Sequence, residues 1–289
     1  VSGPEDGVSD TADIIYLPRW RPGGHRVGAH RGRDAGGLGT FRDQVSFSRL
    51  PDARRIDLRA SLRDPFEGVF VRRFEARSPV ETYALVDLST SMRFRGRADR
   101  RQLAHAFCAT LARSATRIGD GFGVIACDDT LRDDLTLPAT RHRAAAQAAA
   151  ARLREATCDG RGAGGLLEAA RRLAGRPKLI FLVSDFRWPE ALIEGVFSAL
   201  ALHDVTPVLL ADSAEAEDLP AWGLVELDDL EGAGRRLVFL RPALRRRWIA
   251  REAERVERLR RICAPFARPP FRLADRFDAE ALSRHLMTT

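Results

Sequence analysis

The stretch Tyr83-Ala84-Leu85-Val86-Asp87-Leu88-Ser89-Thr90-Ser91 decides the fold. Four consecutive apolar residues make a run of strand length, and a strand that is apolar throughout is one covered on both faces. The run ends at a carboxylate, and two hydroxyls follow on alternate residues. From Arg97 to Ile118 the apolar residues Leu103, Ala106, Phe107, Leu111 and Ile118 then recur at helical spacing. Strand, polar turn and helix in this order put the polar turn at the carboxyl end of a buried strand.

Outward from this segment the same alternation recurs. Gly121 to Cys127 predicts a strand, Thr130 to Leu137 an edge strand, Ala144 to Ala156 an alanine-rich helix and Leu166 to Leu173 a further helix. Leu179 to Val183 is a fully apolar strand that ends in Ser184-Asp185. Pro189 to Leu202 is helical, with proline near the first position, where its missing N–H costs nothing. Val205 to Ala211 is the next buried strand. Apolar strands alternating with amphipathic helices imply an α/β domain with a doubly wound, mostly parallel sheet and helices on both faces. Such folds bind ligands at the carboxyl ends of their strands, which is where Asp87 and Asp185 fall.

The organisation read from the chain has four parts. Residues 1–40, rich in Gly, Pro and Arg, form an irregular arm that Tyr16, Trp20 and Phe41 pin to the rest. Residues 41–80 form a small β-rich element, on the alternation in Arg54-Arg55-Ile56-Asp57-Leu58-Arg59 and Phe70-Val71-Arg72-Arg73-Phe74. Residues 81–211 are the α/β domain. Residues 212–289 are a C-terminal extension with candidate strands near Leu224 to Leu227 and Arg236 to Leu240, a basic helix over Pro242 to Ile262 and a short helix over Ala279 to Leu286.

Composition narrows the function classes. A hydrophobic fraction of 45% and an aromatic fraction of 7% belong to a globular chain. No apolar run reaches the ~18 residues that span a bilayer, and Val1 to Asp13 carries acids and no apolar core of signal-peptide type. Cys108, Cys127, Cys158 and Cys263 have no C-x-x-C spacing, so buried free thiols in a reducing cytoplasm are expected. Arg241 to Arg261 holds nine arginines against Glu252, Glu254 and Glu257, close to the whole net charge of +7. Such a run is either a solvated helix face or a docking surface for an acidic partner.

Asp87-x-Ser89-x-Ser91 suits a hard divalent cation, which takes oxygen ligands in an octahedron and keeps several waters. Two hydroxyls on alternate residues can face one point with the carboxylate behind a water, and Asp185 could add a second carboxylate. The same residues could equally form a turn or cap the next helix, and spacing alone leaves both readings open.

Asp87-Leu88-Ser89-Thr90-Ser91-Met92 resembles the opening of a metal-ion-dependent adhesion site in von Willebrand factor A domains. Upstream, Arg54-Arg55-Ile56-Asp57-Leu58-Arg59-Ala60-Ser61 and Val71-Arg72-Arg73-Phe74-Glu75 are similar to the signature of a bacterial domain-of-unknown-function family usually encoded beside MoxR-type AAA+ ATPases. The resemblance implies a von Willebrand factor A (Rossmann-like) fold and a Mg²⁺ or Mn²⁺ site. Ser89 and Ser91 match the direct ligands, and Asp87 and Asp185 the carboxylates. The family's threonine ligand falls at Gly164, in Arg161-Gly162-Ala163-Gly164-Gly165-Leu166, so one hydroxyl is lost unless Thr157 or Asp159 replaces it. A short subgroup without membrane helices includes a member of methanol-oxidation clusters. The implied role is therefore non-catalytic, with a MoxR-type ATPase and a client enzyme or another von Willebrand factor A protein as partners, and methanol dehydrogenase as a candidate client.

Two other readings are carried beside it. Asp87 could be the nucleophile of a Mg²⁺-dependent phosphohydrolase, although those enzymes usually have a second Asp where this chain has Ser89. A metal-independent basic scaffold or nucleic-acid binder rests on net charge alone, since Trp248 is the one aromatic interleaved with the arginine run. No G-x-x-x-x-G-K-[ST], H-E-x-x-H or G-x-S-x-G motif is present. Trp188, close after Asp185, is a candidate border of a partner surface.

Overall fold

The computed structural model describes residues 12–23, 28–35, 39–160, 162–218, 220, 222–229 and 234–288. They fall into two compact units, Pro18–Val80 and Val1–Leu17 with Glu81–Thr289. Among the described residues no helix is long and apolar enough to cross a membrane.

In the smaller unit, β1 (His30–Ala35), β2 (Gly39–Ser46) and β3 (Phe70–Ser78) make an antiparallel sheet in the order β1-β3-β2. β1 lies inside the stretch read as an irregular arm. Its sequence has no apolar alternation, and it becomes a strand by pairing with the edge of β3, with His30 opposite Ser78. The stretch Arg54 to Ser61 is not a strand. It forms a 3-10 turn (Ala53–Arg55) and one short helix, α1 (Leu58–Ser61). Asp57 is the cause: one carboxylate oxygen accepts the Ala60 N–H at 3.1 Å and caps α1. The other accepts from Gln44 Nε2 and Arg72 Nε, each at 2.8 Å.

The larger unit begins β4 (Glu81–Asp87), α2 (Arg100–Arg117), β5 (Gly121–Cys127), β6 (Leu137–Thr140) and α3 (Arg143–Glu155). It continues through α4 (Gly165–Arg172), β7 (Leu179–Ser184), α5 (Glu190–Ala199), β8 (Asp204–Ala211) and a single turn α6 (Ala214–Glu217). An antiparallel hairpin of β9 (Gly223–Asp229) and β10 (Gly234–Leu240) leads into α7 (Pro242–Cys263), β11 (Phe271–Ala274) and α8 (Ala279–Thr288).

The central sheet runs β11-β8-β7-β4-β5-β6, parallel except for β6. This is the expected doubly wound, mostly parallel sheet with helices on both faces. Alternate residues of the strands serve the two faces. Leu85, Ile125, Ile180 and Leu182 pack with Leu166 of α4, Phe197 of α5 and Leu259 of α7, while Phe181 meets Phe107 of α2 with ring centroids 5.5 Å apart. Leu85, Phe181 and Leu182 are 0% exposed, and each such side chain contributes about 1.5–3 kcal/mol of burial.

Two elements differ from the expectation. The edge strand starts at Leu137, because the preceding residues form a 3-10 turn at Asp133–Leu135. Part of the C-terminal extension also completes the α/β unit, with β11 as the sixth strand, parallel to β8. Four residues after Pro269-Pro270 are too short to show a period. Arg268, 2% exposed, ties this end to the sheet: both Asp204 oxygens accept from it at 2.8 and 2.7 Å, and the Leu17 and Leu286 carbonyls at 2.7 Å.

From β4 the chain moves through β5 to β6, then returns to the other side of β4 for β7, β8 and β11. The strand order therefore reverses between β4 and β7, which opens a crevice at their carboxyl ends.

Candidate functional site

Asp87 ends β4 at that crevice and is fully buried. One oxygen accepts the Ser89 N–H at 2.8 Å, and the other accepts from the Ser184 hydroxyl at 2.5 Å and the Trp188 indole at 2.9 Å. Burial pushes its carboxyl up to about 6, and the nearby Asp185 adds to the shift. The turn that follows holds the Ser89 and Ser91 hydroxyls 3.1 Å apart. Asp185 follows β7 directly, so the parallel pairing of β4 with β7 brings the two acids to one edge. The four residues singled out in the sequence are thus gathered in one place.

Asp185 has a partner that the sequence reading missed. Arg100, the first residue of α2, is 2% exposed and reaches Asp185 Oδ2 with Nη1 at 2.8 Å. The same nitrogen donates to the Ser91 carbonyl at 3.0 Å, and Nη2 lies 2.8 Å from Glu215. Arg187 lies 3.6 Å from Asp185, 3.0 Å from Glu215 and 3.6 Å from Glu252. Arg255 of α7 pairs with Glu252 at 2.6 Å and donates to the Asp185 carbonyl at 2.7 Å. The arginine-rich helix is in part a structural prop of this edge. One sequence signal points to Arg100: the first turn of a helix favours acids, and a cation there needs a reason.

A third element closes on the site. Thr90 donates through its N–H and hydroxyl to the Gly160 carbonyl at 2.9 and 2.6 Å. A Cβ at Gly160 would lie 2.4 Å from the Asp128 Cβ, so the loop can approach only as glycine. Gly164, the position that the resemblance gives to the threonine ligand, caps α4 without a side chain. A Cβ there would meet nothing nearer than the Asp129 carbonyl at 3.4 Å, so no crowding enforces the lost hydroxyl. Neither proposed substitute reaches in: Thr157 is exposed, and Asp159 is exposed beside Arg93 at 3.7 Å.

The residues fit a divalent cation only in part. Two oxygens bound side by side in an octahedron at ~2.1 Å sit about 3 Å apart, which the Ser89–Ser91 pair meets. The remaining donors do not fit. Asp185 is already paired with a guanidinium, Gly164 offers no hydroxyl, and among the described residues no group of three or more His, Cys, Asp or Glu side chains is placed to hold a metal ion.

Trp188 is 8% exposed, with its indole N–H spent on Asp87 and its ring 5.1 Å from Phe186. It is a support beneath the site rather than a border of its surface, because an indole beside a buried carboxylate supplies a donor that the strand cannot. Phe186 adopts a left-handed φ of 52°, a conformation that costs a non-glycine residue about 1–2 kcal/mol. Its N–H donates to Ser184 Oγ at 2.8 Å and its carbonyl accepts from Arg255 at 3.3 Å, and these bonds hold it there. The four cysteines are free and buried, as expected.

Residues 51–258 match the family described as "Protein of unknown function DUF58". A Paracoccus denitrificans protein described as "Uncharacterized protein in moxR 3'region" is 35% identical over 99 residues, which are 33% of this chain and 90% of that protein. Among solved structures, an aerotolerance-related membrane protein from Bacteroides fragilis aligns over 73% of this chain and 100% of its own, at 15% identity and a TM-score of 0.42. Proximal thread matrix protein 1 from the mussel byssus, solved with a zinc-occupied MIDAS motif, aligns over 73% of this chain and 46% of its own, at 14% identity and a TM-score of 0.39. Likenesses of that size say nothing of what this chain binds. The family match runs from ahead of α1 through the whole of β4 to β8 and most of α7, and this chain belongs to the DUF58 family.

Proposed function

We propose that this protein is a non-catalytic interaction domain that holds a partner protein at the carboxyl edge of β4 and β7. It acts with a MoxR-type AAA+ ATPase in the maturation of an enzyme complex, for which methanol dehydrogenase is the candidate client. The observation that carries the non-catalytic reading is the state of the two acids. Asp87 accepts three hydrogen bonds from fixed donors, and Asp185 is locked to Arg100. A phosphoryl-accepting nucleophile needs a carboxylate oxygen open to substrate, and these oxygens face inward. The ATPase partnership is supported by the relative described from the moxR 3' region.

The Ser89–Ser91 spacing favours a second reading, in which these hydroxyls would hold Mg²⁺ or Mn²⁺ and the ion would supply positive charge for a carboxylate of the partner. The test is a binding titration of the purified chain against the MoxR-type ATPase of the same organism, with and without chelator. A complex weakened by Ser89→Ala supports partner holding at this edge, and its loss on chelation supports the metal-bound form. No complex at tens of micromolar, or one indifferent to Ser89→Ala and Ser91→Ala, overturns it.

A further inference from the structure

Three carboxylates, Asp185, Glu215 and Glu252, are interlocked with three guanidinium groups, Arg100, Arg187 and Arg255, through pairs of 2.6 to 3.6 Å. Within this network the most buried cation and the most buried anion are Arg100 and Asp185, 2% and 0% exposed at their side chains. Arg100 occupies the first position of α2, next to the capping Asp99, where the positive end of the helix already disfavours a cation. Its burial there is offset by the two carboxylates and the Ser91 carbonyl that it binds.

We infer that Arg100 supplies from within the fold the positive charge that a divalent cation would bring to this edge, so that the site neither needs nor takes one. The physical basis is charge balance at low dielectric. A divalent cation gives up its hydration most readily where carboxylate oxygens are among its ligands, and here the Asp185 oxygen is engaged by a fixed positive group. Inside a protein that repulsion is far larger than in water. The Ser89 and Ser91 hydroxyls, correctly spaced, are neutral and cannot replace the lost carboxylate. With Arg100 in place they remain as hydrogen-bonding groups of a preformed edge. This rests on that edge being the recognition surface, yet its test uses metal alone and can fail while partner holding stands.

The experiment titrates Mn²⁺ into the full chain, reading free ion by electron paramagnetic resonance and the melting temperature against matched NaCl. The wild type is expected to leave Mn²⁺ free and its melting temperature unmoved. Arg100→Met removes the charge with little loss of volume. It should melt lower, bind Mn²⁺ saturably, regain melting temperature with it, and lose that response when Ser89→Ala is added. Saturable Mn²⁺ binding by the wild type that Ser89→Ala abolishes overturns the inference, as does a folded Arg100→Met chain that binds no more than the wild type. Should Arg100→Met not fold, the wild-type titration beside Ser89→Ala decides alone: no ion bound supports the inference, and an ion lost with Ser89 overturns it.

Discussion

Asp57 in the smaller unit and Asp87 in the larger one begin alike and end differently. Each follows an arginine-bearing or apolar run, and each accepts a backbone N–H from two or three residues ahead. Asp57 then meets Arg72, whose hydrogen bond holds its carboxyl down at about 2. Asp87 meets only neutral donors, a hydroxyl and an indole, inside a dry strand end, and burial raises its carboxyl to about 6. The donors count the same in number; their charge and the surrounding solvent decide the sign. Asp185 shows a third outcome, as buried as Asp87 but matched by Arg100.

The largest effect should come from removing the charge that separates Asp185 from Asp87. Arg100→Ala takes the hydrogen-bonded cation from buried Asp185 and leaves it only Arg187 at 3.6 Å, which costs about 3 kcal/mol or more, to be read from urea unfolding of the α/β unit. A loss below about 1 kcal/mol would mean that the pair contributes little.

Next comes the pH dependence that distinguishes the two aspartates. Because Asp87 is raised in the folded state, the native form holds its proton longer than the unfolded chain does. Its contribution therefore falls as pH rises from about 4 through 6, by a total of about 3 kcal/mol. Asp57 is lowered, so its contribution is present above about 4 and is lost as pH falls toward 2. Asp87→Asn should flatten the first limb of the stability profile and leave the second. Asp57→Asn should do the reverse, and a single variant that flattens both would break the comparison.

A smaller effect sharpens the loop beside the site. A Cβ at Gly165 would lie 2.5 Å from the Thr130 carbonyl, whereas one at Gly164 keeps 3.4 Å from its nearest neighbour. Gly165→Ala should destabilise by about 1–3 kcal/mol in thermal unfolding, and Gly164→Ala by much less. Equal losses would mean that the loop is glycine-bound throughout.

The apolar runs ending at Asp87 and at Ser184-Asp185 were legible in the sequence, because a strand buried on both faces cannot hide its composition. The turn with Ser89 and Ser91 was legible too, since its residues are contiguous. Arg100 was not. Its place in the first turn of a helix is a weak signal in a chain with 47 lysines and arginines, and its partners Asp185 and Glu215 lie far along the sequence. β1 and β11 escaped for a related reason: each is a strand only by virtue of the edge it pairs with.

Local chemistry thus determined the doubly wound sheet, the helices that cover it and the edge where its acids gather, since these follow from periodicity and from where apolar runs stop. Tertiary structure alone decided the state of those acids. Whether a buried carboxylate is protonated, paired or free depends on which distant cation the fold brings within about 3 Å, and that distance is written in no contiguous stretch of the chain.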